Sequence, residues 1–94
     1  MKIRLTHQAS QQLISAYEYL EDTSPAAATT QMKRIFAAID LLETYPMAGR
    51  KGRIAGTREM VVPRTPFIVA YRIESSEVHI LAILHASRRW PESL

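Results

Sequence analysis

The side chains with chemistry to offer crowd the second half of this sequence. Arg50, Lys51 and Arg53 stand among Gly49, Gly52 and Gly56, and the chain runs on to His85-Ala86-Ser87-Arg88-Arg89-Trp90-Pro91. A basic stretch punctuated by glycine has two readings. It is a loop whose backbone amides and cationic side chains approach an anion, or a solvated connection that needs glycine only for positive φ. The glycine spacing fits neither the Walker phosphate loop nor the dinucleotide-binding fingerprint. His85, beside Arg88 and Arg89, is placed to exchange a proton near a bound phosphate, or else is a structural histidine hydrogen-bonded to backbone. Trp90 either stacks on a base or anchors a partner, or pins the chain end to the core.

Metal chemistry is not expected. Strand alternation puts His79, Leu81, Ile83 and His85 on one side of the last strand and Val78, Ile80, Ala82 and Leu84 on the other. His79 and His85 then lie about 20 Å apart at strand rise, too far to share an ion, and no carboxylate sits at ligand spacing. With no cysteine in the sequence, disulfides, thiolate zinc sites and a cysteine nucleophile are excluded. No cofactor is implied.

Charge is distributed unevenly. Up to Gly49 there are four basic and five acidic residues, and from Arg50 onward eight basic and four acidic, so the net +3 arises entirely in the second part. That asymmetry points to an anionic or acidic partner for one face, or to a small protein kept soluble by its charge. Arg50, Lys51, Arg53, Arg58, Arg64, Arg88, Arg89 and Trp90 are the residues assigned to partner or anion contact. No apolar run approaches the ~20 residues needed to span a bilayer, and the basic start is not followed by a signal-peptide core. A soluble cytoplasmic protein with no membrane partner is expected.

These residues must be positioned by a single domain of 94 residues. Ile3-Arg4-Leu5 alternates as a short edge strand does. From about His7 to Asp22, Ala9, Leu13, Ala16, Tyr17 and Leu20 recur at helical spacing, with Thr6 as N-cap. Ser24-Pro25 starts a second helix, whose core stripe is Ala28, Met32, Ile35, Phe36, Ile39 and Leu42 and which stops near Tyr45, before Pro46. The short connection makes the two helices an antiparallel hairpin. Strands follow over 58–62, 67–73 and 78–85, separated by the proline-bracketed turn Pro63-Arg64-Thr65-Pro66 and by Glu74-Ser75-Ser76-Glu77. The last strand is apolar on both faces and belongs inside the sheet. Ser87 to Trp90 suits one short helical turn. The predicted fold is α+β: a strand, a helical hairpin on one face of the sheet, then a three-stranded antiparallel meander, with the opposite face open.

In order and spacing, these pieces resemble the RelE/ParE superfamily of bacterial toxins from type II toxin–antitoxin modules. The likeness rests on the hairpin with Ala26-Ala27-Ala28 after Ser24-Pro25, then Tyr45-Pro46-Met47-Ala48-Gly49-Arg50, Gly56-Thr57-Arg58-Glu59-Met60 and Tyr71-Arg72-Ile73. It continues through Val78 to His85 with Arg88-Arg89-Trp90-Pro91. RelE-like members cleave messenger RNA on the ribosome, whereas ParE-like members poison DNA gyrase by binding it; the Gly-Thr-Arg-Glu segment and the C-terminal ending resemble the ParE side more. Metal-free RNA cleavage needs a base, an acid and cations for the phosphorane. Matched by position, Arg88 falls where RelE-like enzymes carry a catalytic arginine. Glu59, Val61 and Ile68 fall where others carry basic catalytic residues. A different nuclease constellation, Arg58, Arg72, His85 and Arg88, would have to be assembled instead.

The resemblance implies a non-catalytic gyrase inhibitor held inactive by a cognate antitoxin, a small DNA-binding dimer whose disordered C-terminal segment wraps the toxin. The alternatives are a ribosome-dependent endoribonuclease acting on mRNA and, from another class, a plain nucleic-acid-binding module with steep salt dependence.

Overall fold

The computed structural model describes residues 1–94 and orders them as β1 (Lys2–Leu5), α1 (His7–Thr23), α2 (Pro25–Thr44), β2 (Arg50–Lys51), β3 (Arg58–Val61), β4 (Phe67–Glu74) and β5 (Glu77–His85). The strands form one sheet in the order β1-β5-β4-β3-β2. β2 to β5 pair antiparallel in sequence, while β1 closes the far edge by running parallel to β5. The α+β architecture expected from the sequence is present, with β5 inside the sheet. One strand escaped the sequence reading: Arg50 and Lys51, assigned to a glycine-rich loop, pair with Glu59 and Arg58.

Two side chains fix the hairpin. Thr6 accepts the Ala9 N–H at its Oγ1 (3.1 Å), donates from that oxygen to Leu81 O (3.2 Å), and gives its own N–H to Ile80 O (3.0 Å). The same residue thus caps α1 and bolts it to β5. Ser24 is the only residue between the helices. It closes α1 with its N–H on Leu20 O and opens α2 by accepting the Ala27 N–H at its Oγ, while Pro25 supplies a pre-set φ at N1. The next stop also holds: Tyr45 ends α2 and Pro46 follows.

The core lies between the hairpin and one sheet face. Ala9, Leu13, Ala16 and Leu20 of α1 and Ala28, Ile35, Ile39 and Leu42 of α2 meet Phe67, Val69 and Tyr71 of β4 and Val78, Ile80 and Ile83 of β5. Each fully buried Ile or Leu contributes about 1.5–3 kcal/mol. Two expected core residues are not in it: Tyr17 and Phe36 are 42% and 48% exposed. At 3.6 residues per turn the stripe through Leu13, Ala16 and Leu20, and that through Ile35, Ala38 and Leu42, already fill the buried arc. Their neighbours at positions 17 and 36 rotate out to solvent.

The alternation predicted for the last strand breaks midway. Ala70 pairs with Ala82 but Tyr71 pairs with Ile80, leaving Leu81 as an extra residue in β5. This bulge reverses the parity, so Val78 and Ile80 before it and Ile83 after it all face the helices. His79 and His85 therefore lie on opposite faces of the sheet, not on one. The chain end also departs from expectation: beyond His85 it makes one turn, with the Arg88 N–H on His85 O (3.0 Å), and no helical turn.

Candidate functional site

The sheet face turned away from the helices is set by strand parity. Tyr71 and Val69 are core, so Ala70, Arg72 and their partners Glu59, Ala82 and His79 face the other way. At its centre Glu59, 3% exposed, collects three donors. Arg50 Nη2 approaches Oε1 at 3.2 Å; the Arg53 backbone N–H donates to Oε2 at 2.8 Å, and Arg53 Nε lies 3.5 Å from the same oxygen. Arg53 in turn lies over the Trp90 ring, its guanidinium carbon 3.6 Å from the centroid, a stacking geometry that arginine favours. Trp90 thereby pins the chain end to this face, with its indole N–H buried and unpartnered.

The same face is laced with further acid–base pairs. Glu77 accepts from Arg4 Nε at 2.9 Å and lies 3.3 Å from His79 Nε2; Glu74 lies 3.8 Å from Arg72. The Arg4 hydrogen bond holds the Glu77 carboxyl below its ordinary range, with His79 adding to the effect and partial desolvation opposing it. Between these pairs the face is apolar and, contrary to the expectation of an open face, closed to solvent at its centre: Ile68, Ala70 and Ala82 are buried, and only Val61, paired with Ile68 toward the end of β3, is exposed, so the face is open only in having no helix over it.

The other basic residues go elsewhere. Arg58 faces the helix side, where its Nη1 donates to Gly49 O (2.8 Å) beside the buried Tyr71 hydroxyl. Gly49 cannot carry a side chain there, since a Cβ would stand 2.6 Å from that hydroxyl. Lys51 is exposed on the β2 edge. Arg64, at positive φ in the β3–β4 turn, accepts Arg34 Nη1 at its carbonyl (3.1 Å) and flanks a groove of about 280 Å³ floored by Ala38, Leu41, Met60 and Val61. Arg88 and Arg89 border a cavity of about 200 Å³ with His85, Gln12 and Tyr19; the Arg88 guanidinium stands 5.7 Å from the Tyr19 ring centre. His85 packs edge-on against Phe67 and accepts the Ser87 N–H at Nδ1 (3.2 Å), which leaves the proton of the neutral ring on Nε2.

The structure brings Arg50, Arg53 and Trp90 together, and separately Arg88, Arg89 and His85. It does not bring together the nuclease set Arg58, Arg72, His85 and Arg88. Arg58 and Arg72 are on opposite faces, and Arg72 is about 17 Å along β4 from Phe67, the partner of His85. No group of three histidine or carboxylate side chains is gathered at metal-binding distance, and no helix is long and apolar enough to cross a membrane. Sequence reasoning missed Glu59 as the organiser of the open face, although its strand parity and two nearby arginines signalled it.

Comparison with known proteins bears on this geometry. The model of the ParE toxin of type II toxin–antitoxin systems, parDE, matches residues 3–90. The chain is 43% identical over 93 residues to the toxin-designated protein Y4kP of Sinorhizobium fredii, covering 99% of this chain and 96% of that one. It is 34% identical over 83 residues to Toxin RelE2 of Caulobacter vibrioides, covering 88% and 92%. Among solved structures it resembles a chain of the chromosomal ParDE system from P. aeruginosa, with TM-score 0.82, 26% identity, and coverage of 93% and 97%. The YoeB/ParE toxin from Agrobacterium tumefaciens, at 19% identity and TM-score 0.63 over 90% and 98%, shares the fold. With the family model matching residues 3–90 and a relative 43% identical over nearly the whole length, the chain belongs to the ParE toxin family of type II toxin–antitoxin systems.

Proposed function

We propose that this toxin acts by inhibiting DNA gyrase through protein contact and that a cognate antitoxin neutralises it. The supporting observation is the helix-free sheet face. Glu59, Val61 and Ile68 sit together there, with two arginines already bound to the carboxylate. An acid, a base and free cations around one phosphate are what RNA cleavage requires, and this patch holds none of that arrangement. Membership of the ParE family supports the same reading.

Purified protein should block gyrase supercoiling of relaxed plasmid. Ribosome-dependent mRNA cleavage with supercoiling intact would reverse the assignment. The likeness to the relative named RelE2 favours the second reading, an endoribonuclease; under it Arg88→Ala abolishes cleavage and leaves the fold unchanged.

The antitoxin reading draws on the surface of the hairpin and on the matched ParDE system. Ile14, Tyr17, Phe36 and Leu41 are all more than two-fifths exposed on the helices, and the groove between α2 and β3 has Arg34 and Arg64 at its edge. An acidic amphipathic segment matches both, laying apolar side chains on the helices and carboxylates against the arginines. Co-expression of the adjacent reading frame should restore growth to cells that the toxin alone arrests.

A further inference from the structure

We infer that Glu59 is an internal occupant of an oxyanion cradle on the open sheet face, and that by filling it the carboxylate keeps nucleic-acid phosphates off this toxin. The cradle is built of the Arg50 guanidinium, the Arg53 backbone N–H and Arg53 Nε, converging on two oxygens at 3.2, 2.8 and 3.5 Å. Guanidinium and backbone N–H donors aimed at paired oxygens are the geometry that recognises a phosphate as readily as a carboxylate. Here the oxygens belong to the chain itself.

Three features make the occupant permanent. Glu59 rises from β3 between two paired strands, so its backbone is fixed by ladders on both sides. Its side chain is 3% exposed, whereas Arg50 and Arg53 keep 57% and 51% of their side-chain surface. The cations face solvent and the anion holding them does not. An incoming phosphate would have to leave that buried carboxylate unpaired, which is strongly unfavourable. Trp90 adds to this by stacking on Arg53, which takes up a face of the guanidinium whose Nε is turned to the carboxylate.

The remainder of the face is less tightly arranged: Arg4 donates to Glu77, and Arg72 stands 3.8 Å from the exposed Glu74, so the arginines of this side each have a carboxylate beside them. This inference concerns the chain's own surface and goes beyond the gyrase reading; a chain inert toward gyrase would leave it standing.

The test is anisotropy of a fluorescein-labelled oligouridylate at low salt with the full-length chain. Glu59→Gln keeps the side-chain volume and removes the charge; it should bind at least about tenfold more tightly than the unaltered protein, with a steeper salt slope. Adding Arg50→Ala and Arg53→Ala should cancel the gain. Glu59→Gln binding no more tightly than the unaltered chain, with circular dichroism and melting showing a folded protein, overturns the inference. So does a gain that survives loss of both arginines. A measurement on the unaltered chain covers the case in which the variant does not fold. Inorganic pyrophosphate should leave both the emission of Trp90, the sole tryptophan, and the NMR signals of the Arg50 and Arg53 Nε–H groups unmoved. Saturable movement of either means the cradle is open to phosphate and refutes the idea.

Discussion

Replacing Tyr71 with phenylalanine removes one oxygen and should cost this small domain a large part of its stability. The Tyr71 side chain is fully buried. Its hydroxyl donates to Pro46 O at 2.7 Å and accepts the Gly49 N–H at 2.9 Å, tying the α2–β2 connection to the middle strand of the sheet. Phenylalanine keeps the ring packing, so the loss is confined to the two hydrogen bonds. Gly49 is buried, and its stranded N–H carries the full penalty of about 1–3 kcal/mol. Pro46 is half-exposed and its carbonyl recovers part of its loss from water, adding about 0.5–1 kcal/mol. The expected total is about 3 kcal/mol, equivalent to a drop in Tm of roughly 10–20 °C for a chain of this size.

Urea unfolding followed by circular dichroism measures this directly, and the m-value should be unchanged because the same surface is exposed. A pH series adds a second check. Burial raises the Tyr71 pKa above its ordinary value of 10.0, with the Gly49 N–H and Arg58 pulling the other way. A raised folded-state value means stability that is present below pH 10 and is lost as pH climbs through the folded pKa. The phenylalanine variant lacks that alkaline loss, so the gap between the two proteins narrows above pH 10. A stability change below about 0.5 kcal/mol at neutral pH would refute the account of how the connection is held.

Three further outcomes are expected. Ser75 and Ser76 occupy the β4–β5 turn at φ 52° and 60°; Ser76→Gly relieves a left-handed strain of about 1–2 kcal/mol, less glycine's entropy cost, and should add about 0.5–1 kcal/mol of stability, read as a higher urea midpoint at unchanged m-value. Thr6→Ala deletes both the α1 cap and the bond to Leu81 O and should cost about 1–2 kcal/mol in the same assay. Arg4→Ala removes the chief cause of the lowered Glu77 pKa. Stability from a lowered carboxyl is present above its ordinary value near 4.5 and lost as pH falls through the folded value, so the variant should lose less stability than the parent on acidification below pH 4.5.

Where local chemistry decides, the sequence was readable. Thr6, Ser24-Pro25 and Pro46 bound the helices because their side chains or rings act on adjacent backbone, and Pro63 and Pro66 bracket the turn before Phe67 for the same reason. Periodicity cannot show the extra residue at Leu81, which exists only relative to its partner strand, so alternation alone puts His79 and His85 on one face when they have two. Arg50 and Lys51 form too short a strand to carry a pattern. The candidate site was half legible: the arginines were visible as charge. The carboxylate that decides what they can bind was visible only as a departure from a catalytic pattern, because its surroundings are set by the pairing of β2 and by the backbone of Arg53 folding back onto it.

β1 lies against β5, so Lys2 is paired with Glu77 at the opposite end of the fold's strand order in sequence. A ribosome delivers the first of these strands long before the last. Until the segment through Ile80 has left the exit tunnel, the N-terminal strand has no neighbour and α1 lacks the carbonyls of Ile80 and Leu81 that fasten its cap. The sheet therefore closes on its β1 edge only once the segment carrying β5 has emerged. Before that point the core face of the hairpin has no β4–β5 strands to cover it, so the chain spends its synthesis as two helices without the sheet they pack on.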